Sequence, residues 1–369
     1  MYAFYQSFER ILETLPNNIY ISEDDWESFL LKNFPLSYYE IGHSKEGLKL
    51  FGVKIGNGNL KASIIAGCSA DEPVGPYMVK CFLTWLKQSA SGSELLKKWT
   101  FFIIPQMNPD GAARNKYWTQ LPLSLKLYLE KSRRDLPSED LEFGFPISHT
   151  SNNFNVHPEN KSAADFLGPH GPFHAHFSLH NLIVGGGAWF LIDQKHSKDS
   201  FQLQAKLKGI AEKSNIPLYD IDRKGEKGFV RLSAGFSTTP SSAELRKYYQ
   251  EHSHPDWAEN THLSSMDFIE NLGGEPLSLV SEIPMFYSLK IRSVKTPEEL
   301  KLKHFFQSEL MKASKDLQMG DSQLFDQIMV EWNISPISFK DQIRIQFRTI
   351  LCALAEIKNN PYNRFAFFQ

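Results

Sequence analysis

The apolar run Leu60-Lys61-Ala62-Ser63-Ile64-Ile65-Ala66 breaks at Gly67-Cys68-Ser69-Ala70-Asp71-Glu72, and Pro73 then opens a stretch where Val74, Tyr77, Met78, Cys81, Phe82, Trp85 and Leu86 recur three and four apart. The first segment predicts a strand and the second a helix with one apolar face. Such a helix has to pack back on the sheet that its strand joins, which commits the chain to an α/β architecture. In open α/β sheets, ligands bind beyond the carboxyl ends of the strands. The turn at residues 67–72 is therefore the first place to look for a site.

The rest of the chain reads as one α/β body flanked by helices. Residues 1–40 form a helical lead-in, with Phe8, Ile11, Leu12 and Leu15 on one face, and Tyr38 to Gly56 reads as a hairpin. Trp99 to Pro105 is a buried strand, residues 112–140 are polar and irregular, and Ser162 to Leu167 is helical. Phe177 to His180 is a strand, followed by the turn Gly185-Gly186-Gly187 and the strand Ala188 to Ile192. Phe201 to Lys213 has helical spacing, and residues 218–274 mix Gly, Ser, Thr, His and Pro in the manner of loops that line a site. Thr296-Pro297-Glu298-Glu299 starts a helix, and Ile337 to Ile357 makes a second long amphipathic one. The expected organisation is a lead-in over 1–40, a body over 41–292 and a C-terminal helical extension over 293–369.

Three further segments sit beside the 67–75 turn in a recognisable order. They are Asn108-Pro109-Asp110-Gly111 after a strand, Phe177-Ser178-Leu179-His180, and Leu279-Val280-Ser281-Glu282-Ile283-Pro284. Together the four resemble the zinc carboxypeptidase family, the carboxypeptidase A-like metallopeptidases with their succinylglutamate desuccinylase and aspartoacylase relatives. The resemblance covers roughly residues 40 to 290. It implies a mixed, mostly parallel twisted sheet flanked by helices, with the C-terminal helices as an appendage.

The resemblance also implies zinc chemistry. In the family, zinc held by three protein ligands activates a water, a glutamate moves its proton, and an arginine stabilises the oxyanion. On that pattern Glu72 and His180 fall on metal ligands, Glu282 on the general base and Arg114 on the oxyanion arginine. The implied substrate is a peptide or an N-acyl amino acid.

Two departures stand out. The position of the first metal-ligating histidine is Ser69, and a serine hydroxyl is a poor zinc ligand. Cys68 is adjacent, but neighbours on a strand point to opposite faces. His176 on an extended strand would lie roughly 13 Å from His180. His252, His254 and His262 are more distant substitutes. Where family members carry Asp-Leu-Asn-Arg to hold a terminal carboxylate, this chain has Asp135-Leu136-Pro137-Ser138, with Arg133 and Arg134 just ahead. Three readings follow: a zinc hydrolase with a weakened site, a zinc-free pseudoenzyme whose cleft binds peptides or a protein partner, and a serine hydrolase using Ser69. The last lacks the Gly-X-Ser-X-Gly elbow.

Composition narrows the partners. A formal charge of −2 over 369 residues gives no reason to expect nucleic acid or an anionic membrane. Three cysteines are too few for a disulfide framework and point to the cytoplasm. Met1 to Arg10 lacks the basic start and apolar core of a secretory leader, and no apolar run reaches membrane-spanning length.

Overall fold

The computed structural model describes residues 2–147 and 156–359. Among the described residues the strands are β1 (Tyr38–His43), β2 (Lys49–Ile55), β3 (Leu60–Ala66), β4 (Trp99–Ile104), β5 (Ala175–Gly185), β6 (Trp189–Ile192), β7 (Asp220–Ile221), β8 (Arg231–Ser233), β9 (Phe236–Thr238), β10 (Leu277–Tyr287), β11 (Ser293–Val294) and β12 (Ser335–Pro336). The main sheet runs β1-β2-β4-β3-β5-β10-β6-β9-β8, with β12 against β10. Its centre, β4-β3-β5-β10, is parallel and its flanks are largely antiparallel. The fold is thus the mixed α/β sheet flanked by helices that the sequence predicts.

Parallel strands need cover on both faces, and alternate residues of the central strands enter two cores. Ile64, Phe101 and Phe177 pack into a large cluster with helix Val74–Gln88 and helix Phe339–Asn359. Ile65 and Phe102 pack into a second cluster with helix Pro158–Leu167 and helix Ser265–Asn271. The terminal helices belong to the first core: Phe8 stacks on Phe347 with ring centroids 3.6 Å apart.

Two stretches are more ordered than the sequence suggests. Residues 112–140 contain helix Leu125–Lys131, capped by Ser124 and burying Leu125, Tyr128 and Leu129. Seven residues give too short a period to stand out in a polar stretch. Residues 218–274 contain helices Ser242–Glu251, Pro255–Asn260 and Ser265–Asn271, the first and third capped by Ser241 and Ser264. There the Ser and Pro signals mark helix starts rather than loops.

The chain leaves β3 for β4 on one side and later adds β5 on the other. The crevice between the carboxyl ends of β3 and β5 is therefore the topological switch point where ligands bind in such sheets.

Candidate active site

Gly67 closes β3 with φ +68°, and a side chain there would run into Gln106 and Pro76. Only glycine takes that conformation without strain. The Asn108-Pro109-Asp110-Gly111 turn clasps this segment from the next strand. Asn108 N donates to Gly67 O at 2.9 Å, its side-chain amide donates to Cys68 O at 3.3 Å, and its Oδ1 caps helix Pro109–Asn115 through Gly111 N at 2.8 Å. The clasp presents Asp71 and Glu72, both buried, at the sheet's carboxyl edge.

His180 reaches the same point from β5, and Glu282 lies beside it in register on β10. His180 Nδ1 is 2.9 Å from Glu72 Oε2, which also accepts Asn181 N at 3.0 Å. Its Nε2 is 3.2 Å from Glu142 Oε2 and 3.0 Å from Ser178 Oγ. The imidazole is thus held between two carboxylates. Burial opposes a charge on His180, but Glu72, Glu142 and Glu282 overcome it and hold its pKa well above the ordinary value. The two flanking carboxylates favour the imidazolium form.

Glu142 is the main residue that sequence reasoning missed. It sits in the short helical turn Leu141–Phe143, where no motif spacing marks it. Burial pushes its pKa up, but the hydrogen bond and charge of His180, with Ser265, win and bring it down to about 2. Ser265 Oγ joins Glu142 Oε1 to His176 Nε2, which is 2.9 Å from Ser265 Oγ, and His176 Nδ1 is 2.8 Å from Ser63 Oγ. A continuous buried chain therefore runs from Ser63 to Glu72. His176 is the neutral member, with burial pushing its pKa down to about 4. Glu282 has the opposite shift: burial and its acidic neighbours, against His180 and Arg134, push it up to about 7.

Arg114 lies apart from these three residues. Its guanidinium bridges Glu46 at 2.8 Å and Asp135 at 2.9 Å, on the wall of a different depression lined by Lys45 and Tyr117. The arginine beside the site is Arg134, whose Nε is 3.0 Å from Asp71 Oδ2, with Tyr128 OH 2.5 Å from the same oxygen. Arg134, Glu72 and Glu282 line one cleft of about 750 Å³, walled by Leu182, Ile183 and the helix Pro297–Gln318.

Zinc fits this donor set poorly. Glu72 and His180 already satisfy each other, and both imidazole nitrogens face acceptors. Ser69 lines a narrow recess with Glu72 and offers only a hydroxyl. Cys68 is buried in the second core, among Ile65, Phe102 and Met107. His252 and His254 stack on Tyr248 and Trp257 instead. Among the described residues no group of three His, Cys, Asp or Glu side chains is placed to hold a metal.

Solved structures share the fold. A candidate metallopeptidase from Shewanella amazonensis SB2B aligns at TM-score 0.53 and 14% identity over 90% of this chain and 92% of that one. Another from Shewanella baltica OS155 aligns at TM-score 0.52 and 13% identity, over 90% and 92%. Bovine thrombin-activatable fibrinolysis inhibitor, solved with tick carboxypeptidase inhibitor, aligns at TM-score 0.50 and 15% identity, over 92% and 98%. No curated protein is significantly similar in sequence. At these identities the structures establish the fold alone. The zinc carboxypeptidase family model, however, matches residues 31–268, well over half of the sequence. The chain belongs to the zinc carboxypeptidase family.

Proposed function

We propose that this family member uses its cleft to bind a peptide or peptide-like amide without a resident zinc ion. The observation that carries the reading is the His180 imidazole held between Glu72 and Glu142, at 2.9 Å and 3.2 Å. The raised pKa of His180 favours a positive charge between the carboxylates, where the family's resemblance places a cation, and Ser69 stands where the third ligand would be. Arg134 beside the floor supplies a guanidinium toward carbonyl or carboxylate groups.

A second reading, zinc-dependent amide hydrolysis, is favoured by Glu282. A carboxylate with its pKa pushed up to about 7, beside His180 on the neighbouring strand, has the proton affinity that a general base for water activation needs. Zinc bound between Glu72 and His180 would displace their mutual hydrogen bond.

Metal analysis by mass spectrometry, on protein purified without chelator and on Ser69→His, separates the two. Zinc well below one equivalent in the natural protein and near one in the variant supports the zinc-free reading. One equivalent in both overturns it and points to hydrolysis, to be assayed with N-acyl dipeptides.

Other features support a cytoplasmic setting. All three cysteines are free and buried, as in a reducing compartment, and no described helix is long and apolar enough to cross a membrane. We take 41–292 as the family body and 293–369 as the extension that walls the cleft.

A further inference from the structure

The turn between β1 and β2 holds two buried carboxylates in the depression that Arg114 walls. Ser44 Oγ and Glu46 N donate to Asp110 Oδ1 and Oδ2 at 2.5 Å and 2.9 Å. Lys45 N, between them in the chain, donates to Glu159 Oε1 at 2.8 Å. Asp110 is 4% exposed and Glu159 3%, and both line the depression, whose volume is about 860 Å³.

The two carboxylates differ in one respect. Both Asp110 oxygens are taken, whereas Glu159 Oε2 has no hydrogen-bond partner among the described residues. A buried carboxylate oxygen without a donor leaves the cost of its lost hydration uncompensated. Glu159 stands in the first turn of helix Pro158–Leu167, where the helix end favours an acidic side chain. That accounts for a glutamate at this position but supplies no donor to Oε2.

The cations that line the depression are committed elsewhere. Arg114 bridges Glu46 and Asp135, Arg134 pairs with Asp71 at 3.0 Å, and Lys45 reaches Glu139 at 3.8 Å. Lys131 and Arg133 are exposed, where solvent screens them. Asp110 and Glu159 are thus met by neutral donors alone. One free buried acceptor, with a second carboxylate held by the same turn, calls for a cationic donor. A guanidinium fork takes both oxygens of a carboxylate, and Oε1 already receives Lys45 N. An ammonium needs only one. A metal ion needs more, and among the described residues no group of three His, Cys, Asp or Glu side chains is placed to hold one.

We propose that this depression binds an alkylammonium group, of a free amine or of a lysine side chain, through Glu159 Oε2. The inference is independent of how the cleft is used.

Isothermal titration of the full chain at fixed ionic strength tests it. The probes are butylamine, butyltrimethylammonium, butylguanidinium, putrescine, acetyl-lysine-methylamide and calcium. The proteins are the natural chain, Glu159→Gln and Glu139→Gln, each checked for an unchanged unfolding transition. Butylamine is expected to bind and to lose about tenfold to a hundredfold in Glu159→Gln, the range of a charge-assisted hydrogen bond. Glu139→Gln, which removes an exposed charge from the same depression, is expected to change binding by less than about threefold. Butyltrimethylammonium keeps the charge without an N–H and should bind the natural chain more weakly than butylamine by a similar factor. That arm needs no variant, so it holds even if Glu159→Gln fails to fold. Whichever of putrescine and acetyl-lysine-methylamide binds the tighter through Glu159 supports a free amine or a peptide lysine as the source. Equal binding of butylamine and its trimethylammonium analogue, or of butylamine to the natural chain and Glu159→Gln, overturns the assignment to Oε2. Tighter binding of butylguanidinium than of butylamine overturns the ammonium assignment, and tighter binding of calcium than of either overturns the organic cation. Absence of binding by every probe overturns the site.

Discussion

Glu142→Gln removes one charge from the middle of the buried chain and keeps its shape, so it isolates what that charge does. Glu142 Oε2 accepts Ser178 Oγ at 2.8 Å and faces His180 Nε2 at 3.2 Å, and Oε1 accepts Ser265 N at 3.3 Å as well as the Ser265 hydroxyl. These donors bring its pKa from an ordinary 4.5 to about 2. At about 1.4 kcal/mol per pH unit, that difference is worth about 3 kcal/mol of folding stability at pH 7. Removing one partner of a buried ion pair costs about 3–5 kcal/mol by an independent route. The two agree.

The sign follows from the depressed pKa. The stabilisation is fully present above about pH 4.5 and is lost as pH falls through 4.5 toward 2. The same two pKa values leave about 2 kcal/mol at pH 3.5. Urea unfolding of the natural protein and Glu142→Gln at pH 7 and pH 3.5 should therefore show a gap that narrows from about 3 to about 2 kcal/mol. A variant as stable as the natural protein at pH 7, or a gap that does not change with pH, would refute the imidazolium clamp.

Glu282 has the opposite linkage. Its pKa is raised from 4.5 to about 7, so the stability that its protonated form contributes is lost as pH rises through that window, and Glu282→Gln should unfold at higher urea than the natural protein at pH 8 but not at pH 4.5. On the zinc-free reading a chelator should move the unfolding temperature of the natural protein by less than about 1 °C, because no zinc binding energy would then be coupled to folding; a drop of several degrees would indicate a resident metal. Phe347 is fully buried, stacked on Phe8 and edge-on to Trp85 at 5.0 Å. Phe347→Ala should cost about 3–5 kcal/mol and lower a single transition followed by circular dichroism and tryptophan fluorescence. A separate early transition with the remainder unchanged would mean that the C-terminal helices fold on their own.

The sequence alone was enough for the architecture and for three of the residues that meet at the switch point. The 60–66 strand, its glycine and the helix from Val74 are local patterns, and a local pattern survives in one dimension. Glu72, His180 and Glu282 were picked out by the resemblance of four ordered segments to the family, and the sheet register then brings His180 and Glu282 side by side.

What the tertiary structure decided is who else is there. Glu142, 38 residues before His180, reaches its imidazole from a short turn with no periodic signal. Arg114 follows the Asn-Pro-Asp-Gly turn as expected, yet Glu46 and Asp135 hold it away from the cleft, while Arg134 lines it. Lys303 faces the same cleft from a helix that sequence periodicity identifies only as amphipathic. Spacing along the chain predicts which residues share a strand or a helix face. Charge balance in a buried cleft depends on every element that converges there, and that convergence exists only in three dimensions.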